Sequence, residues 1–441
     1  MHAPESLRGQ VIDVVIGGGG LAGLTLARQL RREQPALSVV VLEKTRRPLP
    51  VACHKVGESS VELASQYFER LGLTDYLLDK HLIKFGLRFF PGRGDLPVAQ
   101  RAEIGPSQEP IVRSYQLDRG VLETDLRGMI EDDGAVLVEG AIVRDVELGT
   151  GGDEHTVHYD LDGQRTSVRC RWFIDATGRN AVLRRKLGLT RRTKHTASAG
   201  WFRIDGRFDI NELVPASERA WHDAPFAGER WRSTNHFMDA GYWVWVIPLG
   251  SNKTSIGVVI HGDTHAFDEV RTLERARAFI RKHEPVLAEA LERHEALDFL
   301  CLKDYSHNVG RAWSADRWGM VGEAGAFVDP FYSPGSDFIA FANSFSSELI
   351  RVDYAGGDLD TRVRELSMQY RALVLGNVDV YRSSSPTYGH ARAMVAKIYW
   401  DNFAYWSFPC QYFLRGIFRL TGESHTRFTH VGLRFVELSN Y

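Results

Sequence analysis

Near the start of the chain the apolar positions change period twice. Val11-Ile12-Asp13-Val14-Val15-Ile16 is a short run of strand type, after which Leu21, Leu24, Ala27 and Leu30 recur at every third position. That spacing, with Arg28 and Arg31 off the stripe and Pro35 beyond it, predicts a helix. A second apolar run, Val39-Val40-Val41-Leu42, closes on Glu43. Strand, helix and strand in this order make a βαβ unit, and its first turn is Gly17-Gly18-Gly19-Gly20-Leu21-Ala22-Gly23. Gly18, Gly20 and Gly23 have GxGxxG spacing. Gly18 suits a tight turn, Gly20 lets backbone approach a pyrophosphate, and Gly23 lets helix pack closely on strand. The helix N-terminus then faces the phosphates and Glu43 can accept from a ribose. The unit predicts dinucleotide binding.

Further along, residues 83–90, 199–204, 242–247 and 254–260 alternate in strand fashion. The last two are joined through Pro248-Leu249-Gly250-Ser251-Asn252-Lys253, which predicts an antiparallel hairpin. On an extended strand Trp243, Trp245 and Ile247 share one face, a flat indole wall, and Tyr242, Val244 and Val246 the other. In residues 83–90 the apolar face is Ile83, Phe85, Leu87 and Phe89, which leaves Lys84, Gly86 and Arg88 opposite, with Gly86 giving space beside Lys84. Periodicity alone puts Lys84 on the solvent face of a half-buried strand. From Ser367 the pattern is helical and aromatic, with Tyr399, Phe403 and Trp406 at spacings of four and three; a core-facing stripe is expected there rather than a lid or membrane-surface helix.

Composition narrows the function. With 441 residues, 54 basic and 56 acidic, the charges nearly cancel, so nothing points to nucleic acid. The partner expected is a small molecule, free or carried. Cys53, Cys170, Cys301 and Cys410 form no CxxC pair, and His54, His81 and His236 lack ligand spacing. No metal site or disulfide framework is therefore expected. Met1 to Gln10 lacks a basic segment leading into an apolar run, and no stretch reaches the roughly 18 apolar residues of a membrane span. A cytoplasmic protein without a transmembrane segment is the expectation.

Three more segments specify the nucleotide. Tyr115-Gln116-Leu117-Asp118-Arg119 with Leu122 and Leu126, Trp172-Phe173-Ile174-Asp175-Ala176-Thr177-Gly178-Arg179, and the run from Trp318 through Gly322-Glu323 to Pro330 resemble, in order, the FAD-contacting elements of flavoprotein hydroxylases and halogenases. This resemblance implies FAD rather than NAD, held by Gly18, Gly20, Leu21, Ala22, Gly23, Glu43, Lys44, Arg119, Ala176, Thr177, Gly178, Gly322, Glu323 and Gly335. Glu323 stands where that superfamily usually has aspartate on the ribityl chain.

Over nearly its full length the chain resembles the flavin-dependent halogenases. Trp243-Val244-Trp245-Val246-Ile247-Pro248 matches their WxWxIP motif, Gly57-Glu58-Ser59 resembles the GES segment of the branch acting on phenols and pyrroles, and Lys84 aligns with their catalytic lysine. The resemblance implies a halide loop at Ser333, Pro334, Gly335 and Ser336, and a substrate or tunnel wall including Glu58, Ser59, Trp243 and Trp245. Tyr332 and Pro334 replace the glutamate and threonine that tryptophan halogenases carry in that loop, which favours a phenolic or pyrrolic acceptor over free tryptophan. The implied activity uses FADH2, O2 and chloride or bromide, with hypohalous acid guided by Lys84 to an electron-rich ring, free or on an acyl carrier protein. Thr177, at a position that is acidic in NAD(P)H-linked hydroxylases, implies a separate flavin reductase. Competing readings are an aromatic hydroxylase, a flavin reductase of isoprenoid double bonds and a non-catalytic flavin-binding protein.

The fold expected is α/β: a Rossmann-like FAD-binding domain over residues 1–80, 115–190 and 306–350, an interleaved antiparallel-sheet substrate domain over 81–114 and 191–305, and a C-terminal helical region over 351–441.

Overall fold

The computed structural model describes residues 9–49, 55–382 and 384–439; Cys53 and His54 lie outside them. Two sheets dominate. The larger is parallel at its centre, where Val11–Gly17 lies between Val39–Glu43 and Gln164–Asp175, with Val136–Glu139 and Trp318–Met320 beyond them. Strands covered on both faces read as continuous apolar runs, and Val14, Val15, Ile16 and Val41 have no exposed surface. Antiparallel partners extend the sheet: His155–Leu161 pairs with Gln164–Asp175 and with Ile142–Glu147. Helix Leu21–Glu33 buries its Leu24, Ala27 and Leu30 stripe completely.

The second sheet has six strands in the order Leu300–Leu302, Ala197–Asp205, Lys253–His261, Tyr242–Leu249, Thr234–Asp239 and Leu87–Pro91. All neighbours are antiparallel except the last pair, which is parallel. The hairpin turn is shorter than its sequence suggests, because Pro248 and Leu249 remain in the ladder opposite Thr254 and Lys253. Trp243, Trp245 and Ile247 face the core shared with the parallel sheet, whereas Tyr242, Val244 and Val246 face a second core. Helices Leu273–His283 and Pro285–Leu291 cover that second core. The indoles of Trp243 and Trp245 are tilted by 46° at 5.7 Å rather than forming one flat wall. Gly257 stands opposite Trp245, where a Cβ would come within 2.1 Å of the indole.

Several expectations differ from the structure. Residues 83–90 are not one strand: Leu82–Ile83 pairs with Tyr115–Gln116, and the ladder with Thr234–Asp239 begins only at Leu87. The break falls at Gly86, whose φ of +70° is left-handed backbone that glycine adopts without strain. On the Cβ side Gly86 is closed by Pro106, at 2.8 Å, while Gly86 and Lys84 both border one cavity. The aromatic stripe is not core-facing: Tyr399 is 72% and Phe403 58% exposed, and Trp406 is half-buried. Helix Ala391–Tyr405 buries only Met394, because it spans the outside of a cavity instead of packing into the interior. Helix Gly335–Tyr354 is continuous through residue 351. No helix among the described residues is long and apolar enough to cross a membrane.

Candidate active site

The carboxyl ends of three parallel strands converge. Gly18 has φ +111°, and a Cβ on it would lie 2.2 Å from Ala176 O. A Cβ on Gly23 would lie 1.9 Å from Gly18 O, and one on Gly322, at φ +59°, 2.9 Å from Ala22 Cβ. Gly18–Gly23, Ala176–Gly178 and Gly322–Glu323 therefore form one cradle at the carboxyl edge of the sheet, where open α/β folds bind nucleotides. Glu43 ends the second strand, accepting from Gly19 N at 2.6 Å and from Thr45 N at 2.8 Å. Asp175 accepts from Thr177 Oγ1 at 2.6 Å and Leu183 N at 2.8 Å, fixing the turn that follows the third strand.

The cradle fits a dinucleotide. Helix Leu21–Glu33 has no side-chain cap at Gly20, so its first N–H groups face outward as a pyrophosphate needs. A Cβ on Gly20 would meet only Lys55 Nζ at 3.7 Å and Glu123 Oε2 at 3.9 Å, side chains that are ion-paired beside it. Arg119 donates to Val56 O at 2.8 Å and pairs with Glu123. Burial raises the Glu323 carboxyl, against the pull of Arg179, Arg119, Lys55 and Arg184. Lys44 is exposed, and nothing lies near the Cβ position of Gly178 or Gly335.

On the other side lies a cavity of about 1060 Å³ with Lys84 on its wall. Lys84 is 1% exposed, so it is not the solvent-face residue that strand periodicity suggests. Its Nζ donates to Ser60 O at 2.8 Å, while its backbone N donates to Ser114 O at 2.9 Å. Burial pulls the ammonium down to about 8, with Glu62 and Asp337 opposing. Burial also pushes the Asp337 carboxyl up, to about 8, although Ala64 N donates to it at 2.9 Å. Glu62, half-buried at the start of helix Glu62–Arg70, has its carboxyl raised by the same desolvation. Both acids line the cavity. Tyr405 OH accepts from Leu63 N at 3.0 Å and bonds to Asp337, tying the outer helix to this cluster.

Of the expected halide residues, Pro334 lies on the cavity wall; Ser333, Gly335 and Ser336 lie behind it. Ser333 has φ +58° and its N donates to Pro330 O at 2.8 Å, which turns the chain sharply into helix Gly335–Tyr354. Ser336 is buried. Asp329 anchors the loop, accepting from Phe331 N at 3.0 Å and bonding His195 Nε2 at 2.8 Å. Tyr332 does line the cavity, and its OH donates to Asp401 at 2.8 Å.

Glu58, Ser59, Trp243 and Trp245, expected on a substrate or tunnel wall, do not line this cavity. The reason is local. Glu58 is clamped by Arg203 at 2.7 Å, Arg203 also holds Asp298 at 2.7 Å, and Ser59 Oγ bonds Thr234 Oγ1 at 2.9 Å. Both members of the Glu58–Arg203 pair are buried, and Arg203 would keep Asp298 if Glu58 were removed. Glu58→Ala is therefore expected to cost about 1–3 kcal/mol in urea denaturation, the loss of one buried charge-assisted hydrogen bond; a loss below about 0.5 kcal/mol would contradict this structural role. Sequence reasoning did not single out Glu62, Asp337 or Tyr405. The one available signal was Asp337 directly after the Ser-Pro-Gly-Ser loop.

A nucleotide cradle backed by a buried lysine in a separate chamber is the arrangement of a flavoprotein oxidoreductase that works on a second substrate. Residues 11–318 match the family model "FAD binding domain", and the chain belongs to that family. It is 29% identical over 432 residues to the flavin-dependent halogenase chlA of Dictyostelium discoideum, covering 90% of this chain and 69% of that one. It is 27% identical to the 1H-pyrrole-2-carbonyl-[peptidyl-carrier protein] chlorinase of Pseudomonas fluorescens, over 73% and 72% of the two chains. The crystal structure of halogenase PltM in complex with phloroglucinol and FAD has the same fold, with TM-score 0.78, 16% identity, and coverage of 96% of this chain and 86% of that one.

Proposed function

We propose that the protein is an FADH2-dependent halogenase that uses O2 and chloride or bromide to halogenate an electron-rich phenolic or pyrrolic ring through hypohalous acid guided by Lys84. The observation that carries this reading is Lys84 itself, a buried ammonium that opens into the same cavity as Pro334 of the expected halide loop. Reduced FAD, when bound, supplies the electrons that activate O2 and so turn halide into hypohalous acid. The protein's own groups do the rest. Lys84 spends one N–H on Ser60 O and keeps two for the oxygen of the hypohalous acid. A ring carbon attacks the halogen, the released hydroxide takes a proton from the Lys84 ammonium and leaves as water, and the ring gives up its own proton to restore aromaticity. Glu62, on the same wall with its carboxyl raised by burial, is suited to accept that proton.

The test is direct. Protein, FAD, a separate flavin reductase, NADH and bromide are incubated with phenols, pyrroles and indoles, and products are read by halogen isotope pattern. Bromide-dependent product on a phenol or pyrrole is expected; oxygenated product independent of halide would instead mark a hydroxylase. NAD(P)H oxidation without the reductase is expected to be negligible, since Thr177 is bonded to Asp175 and offers no acid at the hydroxylase position. Fast NADPH oxidation by the protein alone would remove the separate reductase from the scheme.

The ammonium of Lys84 lies near 8, so halogenation is expected to decline as pH rises through about 8, where the donor loses its proton. The limb should be the same with chloride and bromide, whose hypohalous acids ionise differently. A rate that rises through this range would favour a neutral, haloamine-forming lysine.

A further inference from the structure

The cavity is larger than the ring chemistry requires. At about 1060 Å³ it sits at the upper end of the roughly 300–1,000 Å³ typical of sites for drug-sized ligands. A one-ring phenol or pyrrole would occupy only a fraction of it. Burial along the wall gives the cavity a direction. Lys84, Phe89 and Phe341 are at most 2% exposed and mark the inner end, whereas Ile111 is 97%, Met368 54% and Tyr399 72% exposed and mark the mouth. The charged groups on the outer wall are already paired: Lys397 with Asp401, which also takes Tyr332 OH, and Asp379 with Arg382. What remains for a ligand between Lys84 and the mouth is mainly apolar, including Leu373, Ile398 and Phe408, with the side-chain amides of Gln369, Asn377 and Asn402 among them.

We infer that the acceptor is an electron-rich arene carrying a long alkyl or acyl chain, bound with the ring at Lys84 and the chain running between helices Leu359–Arg382 and Ala391–Tyr405 to the mouth. The ring's role rests on the halogenase reading above; the chain's rests on the cavity alone. Gln369, Asn377 and Asn402 also line the passage, so a pantetheine tether is the competing occupant and forms an arm of the test. Gly376 lines the channel, and a Cβ there would meet nothing within 4 Å. It provides a point at which the passage can be filled without disturbing its neighbours.

The experiment titrates FAD-loaded protein, without halide or reductant, with methyl-, pentyl- and undecylresorcinol and with a pantetheine thioester of pyrrole-2-carboxylate. Affinity is expected to rise about fourfold per methylene while the chain is entering the cavity, then level off at the mouth. Equal affinity across the resorcinols, or tighter binding of the thioester than of pentylresorcinol, would overturn the inference. Gly376→Phe is expected to lower the undecyl-to-methyl affinity ratio by about tenfold or more, and an unchanged ratio in a folded variant would also overturn it. The wild-type series stands alone if that variant does not fold. None of these titrations needs turnover. Chain-length-dependent binding without halide incorporation would count against the halogenase reading and leave the cavity assignment standing; halogenation of every resorcinol at equal affinity would do the reverse.

Discussion

Lys84→Ala is expected to remove halogenated product by about 10²–10⁴-fold while FAD affinity and oxygen consumption by reduced flavin stay near wild type. The two effects should separate because the hydrogen bonds of Lys84 go to Ser60 and Ser114 and not to the nucleotide cradle, and its charge is felt by Glu62 and Asp337. Peroxide or free hypohalous acid should then escape into solution. Lys84→Arg is expected to be nearly as inactive. A guanidinium keeps the charge but is too broad for a site in which the lysine is buried against the Ser60 carbonyl. Halogenation by the alanine variant at the wild-type rate and position would end the lysine's role, and with it much of the proposed mechanism.

The second large effect is on the cofactor. Gly20→Val is expected to lower FAD affinity about 100-fold or more, on the order of 3 kcal/mol, while the protein stays folded. The fold has room there, since the nearest atoms to a Cβ are side-chain ends at 3.7 and 3.9 Å. The same room is where the pyrophosphate has to approach backbone. Gly23→Ala makes the contrast, because its Cβ would strike Gly18 O at 1.9 Å. It should destabilise the protein itself by about 3 kcal/mol. Flavin fluorescence titration together with thermal melts distinguishes the two. A folded Gly20→Val protein with full FAD affinity would displace the nucleotide from this cradle.

Local patterns carried the first strand, helix and second strand because each is fixed by neighbours in sequence: the Val14–Ile16 run, the Leu24, Ala27 and Leu30 stripe, and glycines whose missing Cβ atoms make the turn. The faces of residues 242–247 were legible for the same reason, since alternation alone separates Trp243 from Val244. Lys84 was not. Period-two reasoning assumes a continuous strand, and the left-handed backbone at Gly86, set by the Pro106 segment packed on it, breaks that assumption. Glu58 and Glu62 show the limit at the site. They are four residues apart, yet only the distant Arg203 explains why one is clamped behind the wall while the other reaches the cavity. The exposed face of residues 399–403 was misread because helical spacing gives a stripe but not what the stripe lies against.

The family match ends at residue 318, whereas most of the outer wall of the cavity is built from residues 368–409. Selection on substrate can thus act on one stretch of chain while the flavin cradle, encoded elsewhere, is left alone. Tyr405 constrains that freedom, since it reaches from this stretch to Leu63 and Asp337 beside the lysine, as does Asp401 through Tyr332. For engineering, the practical unit of exchange is helix Leu359–Arg382 with helix Ala391–Tyr405, transplanted together and with the tyrosine kept.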